Sequence, residues 1–168
     1  MMKVFPTLLA TLFLFTAQYE LTARSLSADA AKTEKPGPSS RRSPLVISEV
    51  MYHPATREDN ANLEFIEIYN SQPWWEELGN FRIDGDVRFT FPADARIDKL
   101  GYVVIAADPE AVKKAYGLEQ VFGPFTGRLA NSGGRLRLRN NLDAILFEVD
   151  YETRAPWPSS ADGAGHSL

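Results

Sequence analysis

Gly134-Arg135-Leu136-Arg137-Leu138-Arg139, Asn140-Asn141-Leu142-Asp143 and Ala144-Ile145-Leu146-Phe147-Glu148-Val149-Asp150-Tyr151 follow one another in the chain. In the first piece Leu136 and Leu138 alternate with three arginines. In the last, Ile145, Phe147, Val149 and Tyr151 alternate with Leu146, Glu148 and Asp150. Successive side chains on a strand point to opposite faces, so a period of two marks a half-buried β-strand. The Asn-Asn-Leu-Asp segment between them has turn chemistry and joins the strands as a hairpin. The hairpin sets Arg135, Arg137 and Arg139 on one face, opposite Glu148, Asp150 and Glu152. Cross-strand ion pairs are the economical account of that stripe.

Further short segments of the same kind lie upstream. They are 45–52 (LVISEVMY), 64–70 (EFIEIYN), 80–84 (NFRID), 87–91 (VRFTF) and 101–107 (GYVVIAA), rich in β-branched and aromatic residues and bounded by Pro, Gly, Asn and Asp. One helix interrupts them. Asp108 suits the N-cap, Pro109 the first helical position and Gly117 the stop after Glu110–Tyr116. It is expected to close one end of the sheet. Roughly seven strands in about 120 residues predict an all-β, immunoglobulin-like sandwich.

The whole chain has 168 residues, enough for one domain and a tail, with 18 basic and 22 acidic side chains. It has no cysteine, which excludes a disulfide scaffold, a thiolate nucleophile and the Cys-based zinc sites. Residues 1–17 place one lysine before an apolar run too short to span a bilayer, the pattern of a secretory signal. Ala28-Asp29-Ala30 offers a cleavage site, so 1–30 is expected to be a signal peptide. Residues 31–44 (AKTEKPGPSSRRSP) read as a disordered linker, because they hold almost no apolar surface to offset their ordering entropy. The linker carries +3 and the first thirty residues sum to zero, leaving −7 on 45–168. An acidic body argues against nucleic acid as a partner.

Ile47-Ser48-Glu49-Val50-Met51-Tyr52-His53-Pro54 followed by Glu64-Phe65-Ile66-Glu67-Ile68-Tyr69-Asn70 resembles the opening of bacterial lamin-tail domains. Leu78–Ile83, Phe89–Pro92, Gly101–Ala106 with the Asp-Pro helix, Leu129–Leu138 and Pro156-Trp157-Pro158 before Ala161-Asp162-Gly163 keep the order of that family. The resemblance covers about 45–168 and implies an immunoglobulin-like sandwich related in fold to the tail domain of nuclear lamins. It also implies a module of exported multidomain proteins, sometimes beside kinase-like or hydrolase domains, with no catalytic residues to carry over and no defined ligand. Asn80-Phe81 departs from the Gly-Trp the family prefers. The chain stops at Ser167-Leu168 where similar proteins continue, so the sandwich is expected to be truncated at its last strand.

Several constellations invite a chemical reading. Glu49, Glu64 and Glu67 suggest a glycosidase pair, but acids within strands ordinarily face solvent or pair with Arg. His53, with Ser48 and Asp59, supplies the residue types of a triad without a nucleophile elbow, so a turn histidine is the simpler reading. Asp59, Asn60 and Asn62 put oxygens in one loop, a weak calcium candidate that lacks EF-hand spacing. Trp74-Trp75 is expected at a loop or strand edge, where alternation would pack one indole and expose the other. The ligand-binding candidates are therefore Trp74, Trp75, Arg135, Arg137 and Arg139, with no cofactor.

The sequence thus predicts a non-catalytic, exported binding or spacer module of a larger envelope or extracellular protein. Its partner is a protein or glycan, and the mature chain has no transmembrane helix. The alternatives are an accessory domain of a truncated enzyme and a carbohydrate-binding module. Leu138→Asp is expected to destabilise by several kcal/mol if that side chain is buried.

Overall fold

The computed structural model describes residues 43–168. The expected signal segment over 1–30, and the linker as far as Arg42, lie outside the described residues. Among the described residues no helix is long and apolar enough to cross a membrane.

Ten strands follow in chain order: β1 (Leu45–Met51), β2 (Phe65–Asn70), β3 (Glu76–Glu77), β4 (Arg82–Gly85), β5 (Val87–Thr90), β6 (Arg96–Ile97), β7 (Tyr102–Ala106), β8 (Thr126–Gly127), β9 (Gly134–Arg139) and β10 (Ile145–Tyr151). Helix α1 (Pro109–Tyr116) lies between β7 and β8. One sheet has the order β1-β2-β7, the other β10-β9-β4-β5-β8, and β3-β6 forms a small ribbon. All strand pairs are antiparallel. The two larger sheets face each other as an immunoglobulin-like sandwich, as the sequence predicts. The three two-residue strands were not foreseen, because two residues show no period.

Alternation decides which side chains enter the core. Val50, Ile66, Ile68, Val103 and Ile105 of the first sheet meet Ile83, Val87, Leu136, Leu138 and Tyr151 of the second, with Phe91 and Leu129 among them. In β1 the alternation slips. Leu45 and Ile47 face the core, the register shifts between Ile47 and Glu49, and Val50 resumes the inward face. Such a bulge inserts one residue while keeping both flanks correctly oriented.

The first sheet is apolar on its outer face as well. Met51, Phe65, Val104 and Ala106 form a second cluster with Leu63, Val112 and Val121. Helix α1 supplies Val112 and covers this face. It therefore does not close an end of the sheet, because the outward Phe65 and Val104 require a cover more than the end does. Its ends follow the sequence reading: the Asp108 carboxylate accepts from the Ala111 amide at 3.1 Å, and Gly117 takes a left-handed conformation (φ 69°).

The C-terminal residues return to β1. Leu168 and Val50 exchange backbone hydrogen bonds, at 3.0 Å and 3.4 Å, and Ser167 Oγ donates to Glu49 Oε2 at 2.8 Å.

Candidate functional site

The sandwich presents its most exposed aromatic side chains at one end, where β2 turns into the loop before β3. Asn70, fully buried, holds this end together. Its amide nitrogen donates to the carbonyls of Trp74 (2.8 Å) and Asp98 (3.0 Å), and its side-chain oxygen accepts from the Gln72 amide. The Leu100 amide donates to the Gln72 carbonyl at 3.0 Å, tying the 98–101 turn to the same loop. On this braced base Trp74 is 56% exposed and Trp75 51%, with Leu100 at 55% and Tyr102 at 60%. Trp74 Nε1 donates to Glu76 Oε1 at 2.9 Å, Arg96 lies 5.4 Å over the Trp75 ring, and Tyr102 stacks on Tyr69 at 4.7 Å. The expectation that one indole packs and one faces solvent does not hold. Both precede β3 in a bent segment, where strand alternation does not apply.

The arginine stripe lies on the outer face of the second sheet, and every member has a carboxylate. Arg135 Nη2 donates to Asp150 at 2.8 Å, and Arg137 pairs with Glu148 and, at 3.4 Å, with Asp84. Arg139 pairs with Asp84 and Asp143, not with Glu152. The reason is that the antiparallel ladder sets Ile145 opposite Arg139 and leaves Glu152 at its other end, past the Tyr151–Gly134 pair, while β4 brings Asp84 alongside β9 from its other edge. Arg82 completes the lattice with Asp143. The Arg135 hydrogen bond holds the Asp150 carboxyl below the usual range.

In the 57–64 loop the side-chain oxygens of Asp59 and Asn62 are engaged by the chain itself. Asp59 receives Arg57 through two nitrogens, at 3.0 Å and 3.1 Å, and the Ala61 amide at 3.2 Å, which holds its pKa down to about 2. Asn62 Oδ1 accepts from the Glu64 amide at 2.9 Å, and Asn60 adopts φ 51°. Among the described residues no three His, Asp or Glu side chains are grouped to hold a metal ion. The triad residues do not converge. His53 Nδ1 is bonded to Asp162 Oδ1 at 2.6 Å, Asp59 is held by Arg57, and Ser48 Oγ donates to Glu67 Oε1 at 2.8 Å. Glu49 and Glu67 are cross-strand neighbours, and burial raises the Glu67 pKa with help from Glu49. Glu64 is separate from them, almost fully buried near Leu129 and Arg128.

A family model, the lamin tail domain, matches residues 38–153. The chain belongs to the lamin tail domain family. No curated protein matches it. The lamin tail domain is an immunoglobulin-like, non-enzymatic family.

Within this lamin tail domain, Leu100 and Tyr102 were missed as surface candidates. Leu100 sits in an Asp-Lys-Leu-Gly turn with φ 50°, a conformation unusual for leucine. A leucine placed among turn residues is the signal that was available. Asn70 was missed too, although a polar residue closing an apolar strand is a recognisable cue for a loop brace.

Proposed function

We propose that this lamin tail domain is a non-catalytic, exported recognition module of a larger envelope or extracellular protein, and that it contacts a partner protein through Trp74, Trp75, Leu100 and Tyr102. The carrying observation is that four large apolar side chains, each more than half exposed, stand on one braced end of the sandwich. Protein contact hot spots are enriched in Trp and Tyr, and rigid aromatic anchors lose little entropy on binding. Leucine beside the indoles suits a protein surface better than a sugar ring. The arginine lattice is a poorer candidate, because Arg82, Arg135, Arg137 and Arg139 are balanced by Asp84, Asp143, Glu148 and Asp150. Export is supported by the lysine and apolar run at the N-terminus.

The test compares the full chain with its Trp74→Ala/Trp75→Ala double variant as baits for envelope and extracellular proteins of the source cells. The expected result is a partner retained by the wild type and lost with the variant, at equal melting temperatures. Equal retention by both overturns the proposed surface. Attaching residues 1–44 to a leaderless alkaline phosphatase tests export: activity outside the cytoplasm is expected, and confinement within it overturns that part.

A further inference from the structure

Helix α1 leaves part of the outer face of the first sheet open. Glu49, Glu67 and Val104 form one row across β1, β2 and β7, and Met51, Phe65 and Ala106 form the next. Val112 of the helix packs on the apolar members, and Tyr116 sets its ring edge-on to Phe65 at 5.6 Å. Beside them runs a groove of about 310 Å³, lined by Tyr116, Leu118 and the returning chain at Gly165–Ser167, with Met51, Phe65 and Val104 closing its floor. Tyr116 is 46% exposed and Leu118 37%, so large apolar side chains face solvent along it. The volume is enough to take one long side chain.

Two carboxylates meet in this groove with no cation to answer them. Glu49 and Glu67 stand directly opposite each other on β1 and β2, and like charges so placed work against a sheet. Glu49 Oε2 accepts from Ser167 Oγ and Glu67 Oε1 from Ser48 Oγ, both at 2.8 Å, which leaves each carboxylate a second oxygen to accept with. Among the described residues neither forms an ion pair, and His166 on the groove wall is no exception. The outer face of the second sheet is the contrast, since Asp84, Glu148 and Asp150 each have an arginine. Burial, with Glu49 beside it, raises the Glu67 pKa. A cation brought from outside would relieve the repulsion that the chain itself leaves in place.

Charge and apolar surface together select the occupant. A purely apolar side chain would leave both carboxylates unanswered, and a small inorganic cation would leave Tyr116 and Leu118 in water. A lysine side chain meets both demands, with an unbranched apolar stem and an ammonium of three donors at its tip. We propose that this groove docks a basic, apolar segment of a partner protein, one lysine of which lays its stem against Tyr116 and Leu118 and donates from its ammonium to Glu49 and Glu67. The net charge of −7 on 45–168 favours the approach of such a segment. The groove contains none of the residues of the aromatic end and rests on no part of the reading given for it.

The test is a titration of the full ¹⁵N-labelled chain with the acetylated and amidated peptide Leu-Lys-Leu-Lys-Leu, followed by amide shifts, with the counterparts carrying Gln or Glu in place of Lys as comparisons. The lysine peptide is expected to give saturable shifts at Glu49, Glu67, Val104, Leu118 and Ser167, and the other two to bind about tenfold or more weakly. The Glu49→Gln/Glu67→Gln double variant keeps the shape of both side chains and is expected to weaken the lysine peptide by a similar factor, about tenfold or more. Leu118→Asn alters only a side chain on the groove wall and is expected to weaken it several-fold, so the proposal stays open to disproof should the double variant fail to fold. No saturable shift, shifts confined to the tryptophan end, or binding of the Gln or Glu peptide as tight as that of the lysine peptide overturns the proposal. Undiminished binding by the folded double variant, or by Leu118→Asn, overturns it equally.

Discussion

Asp86, between β4 and β5, accepts hydrogen bonds from the Ala130 and Arg135 amides, both at 3.3 Å, and from Tyr151 Oη at 2.9 Å. The β9 end approaches so closely that a Cβ at Gly134 would collide with the Asp86 carboxylate. Burial, with the Asp86 hydrogen bond, pushes the Tyr151 hydroxyl far above its ordinary range. Asp86→Ala takes the acceptor from the Ala130 and Arg135 amides, while Tyr151 Oη keeps the Ala130 carbonyl at 3.2 Å, so urea unfolding is expected to show a loss of about 2 kcal/mol. Asp86→Asn, which keeps an oxygen, is expected to lose less. This hub was not legible in the sequence, since its partners lie 44 to 65 residues away and no local pattern joins them. The helix caps are the opposite case. Asp108 acts on an amide three residues ahead and Gly117 on its own φ, so local chemistry announced both.

Among the elements, the β9–β10 hairpin shows what a period of two does and does not reveal. Leu136, Leu138 and Tyr151 are buried as alternation requires, with Asn140 Oδ1 accepting from the Leu142 and Ala144 amides to close the turn. The shift between Ile145 and Phe147 is invisible in such a pattern, and so is β4 on the other edge of β9, which supplies Arg139 with Asp84. Leu138 is 0% exposed, so Leu138→Ala is expected to cost about 2–5 kcal/mol in chemical denaturation. Leu138→Asp should leave too little stability for a cooperative unfolding transition. Helix α1 was readable from its caps, but its place was not. That depends on Met51, Phe65 and Val104 sharing a face, which appears only once three strands are paired. Asp108→Ala is expected to lower stability by about 1 kcal/mol, measured by thermal melting.

The molecule as a whole holds carboxylates displaced in opposite directions. Asp59 and Asp150 are lowered by their arginines, so their contribution is present above the ordinary aspartate value and is lost as pH falls through their folded values. Glu67 is raised by burial, so the folded state binds its proton more tightly, and stability falls as pH rises above the ordinary value of 4.5. Glu67→Gln keeps an acceptor for Ser48 and removes the charge. Its melting temperature is expected to exceed that of the wild type at neutral pH, and the gap to close below about pH 4.5; a gap independent of pH would contradict this. The family was legible from ordered motifs spread over the body, whereas the contact surface was legible only in part. Trp74 and Trp75 stand out by residue type, but Leu100 and Tyr102 join them through the Gln72–Leu100 hydrogen bond that folding creates. Hydrogen exchange on the full chain, alone and with the partner it retains, tests the recognition surface most directly. Protection confined to the amides of 71–76 and 98–102 is the predicted result; protection that spares both segments would contradict the account.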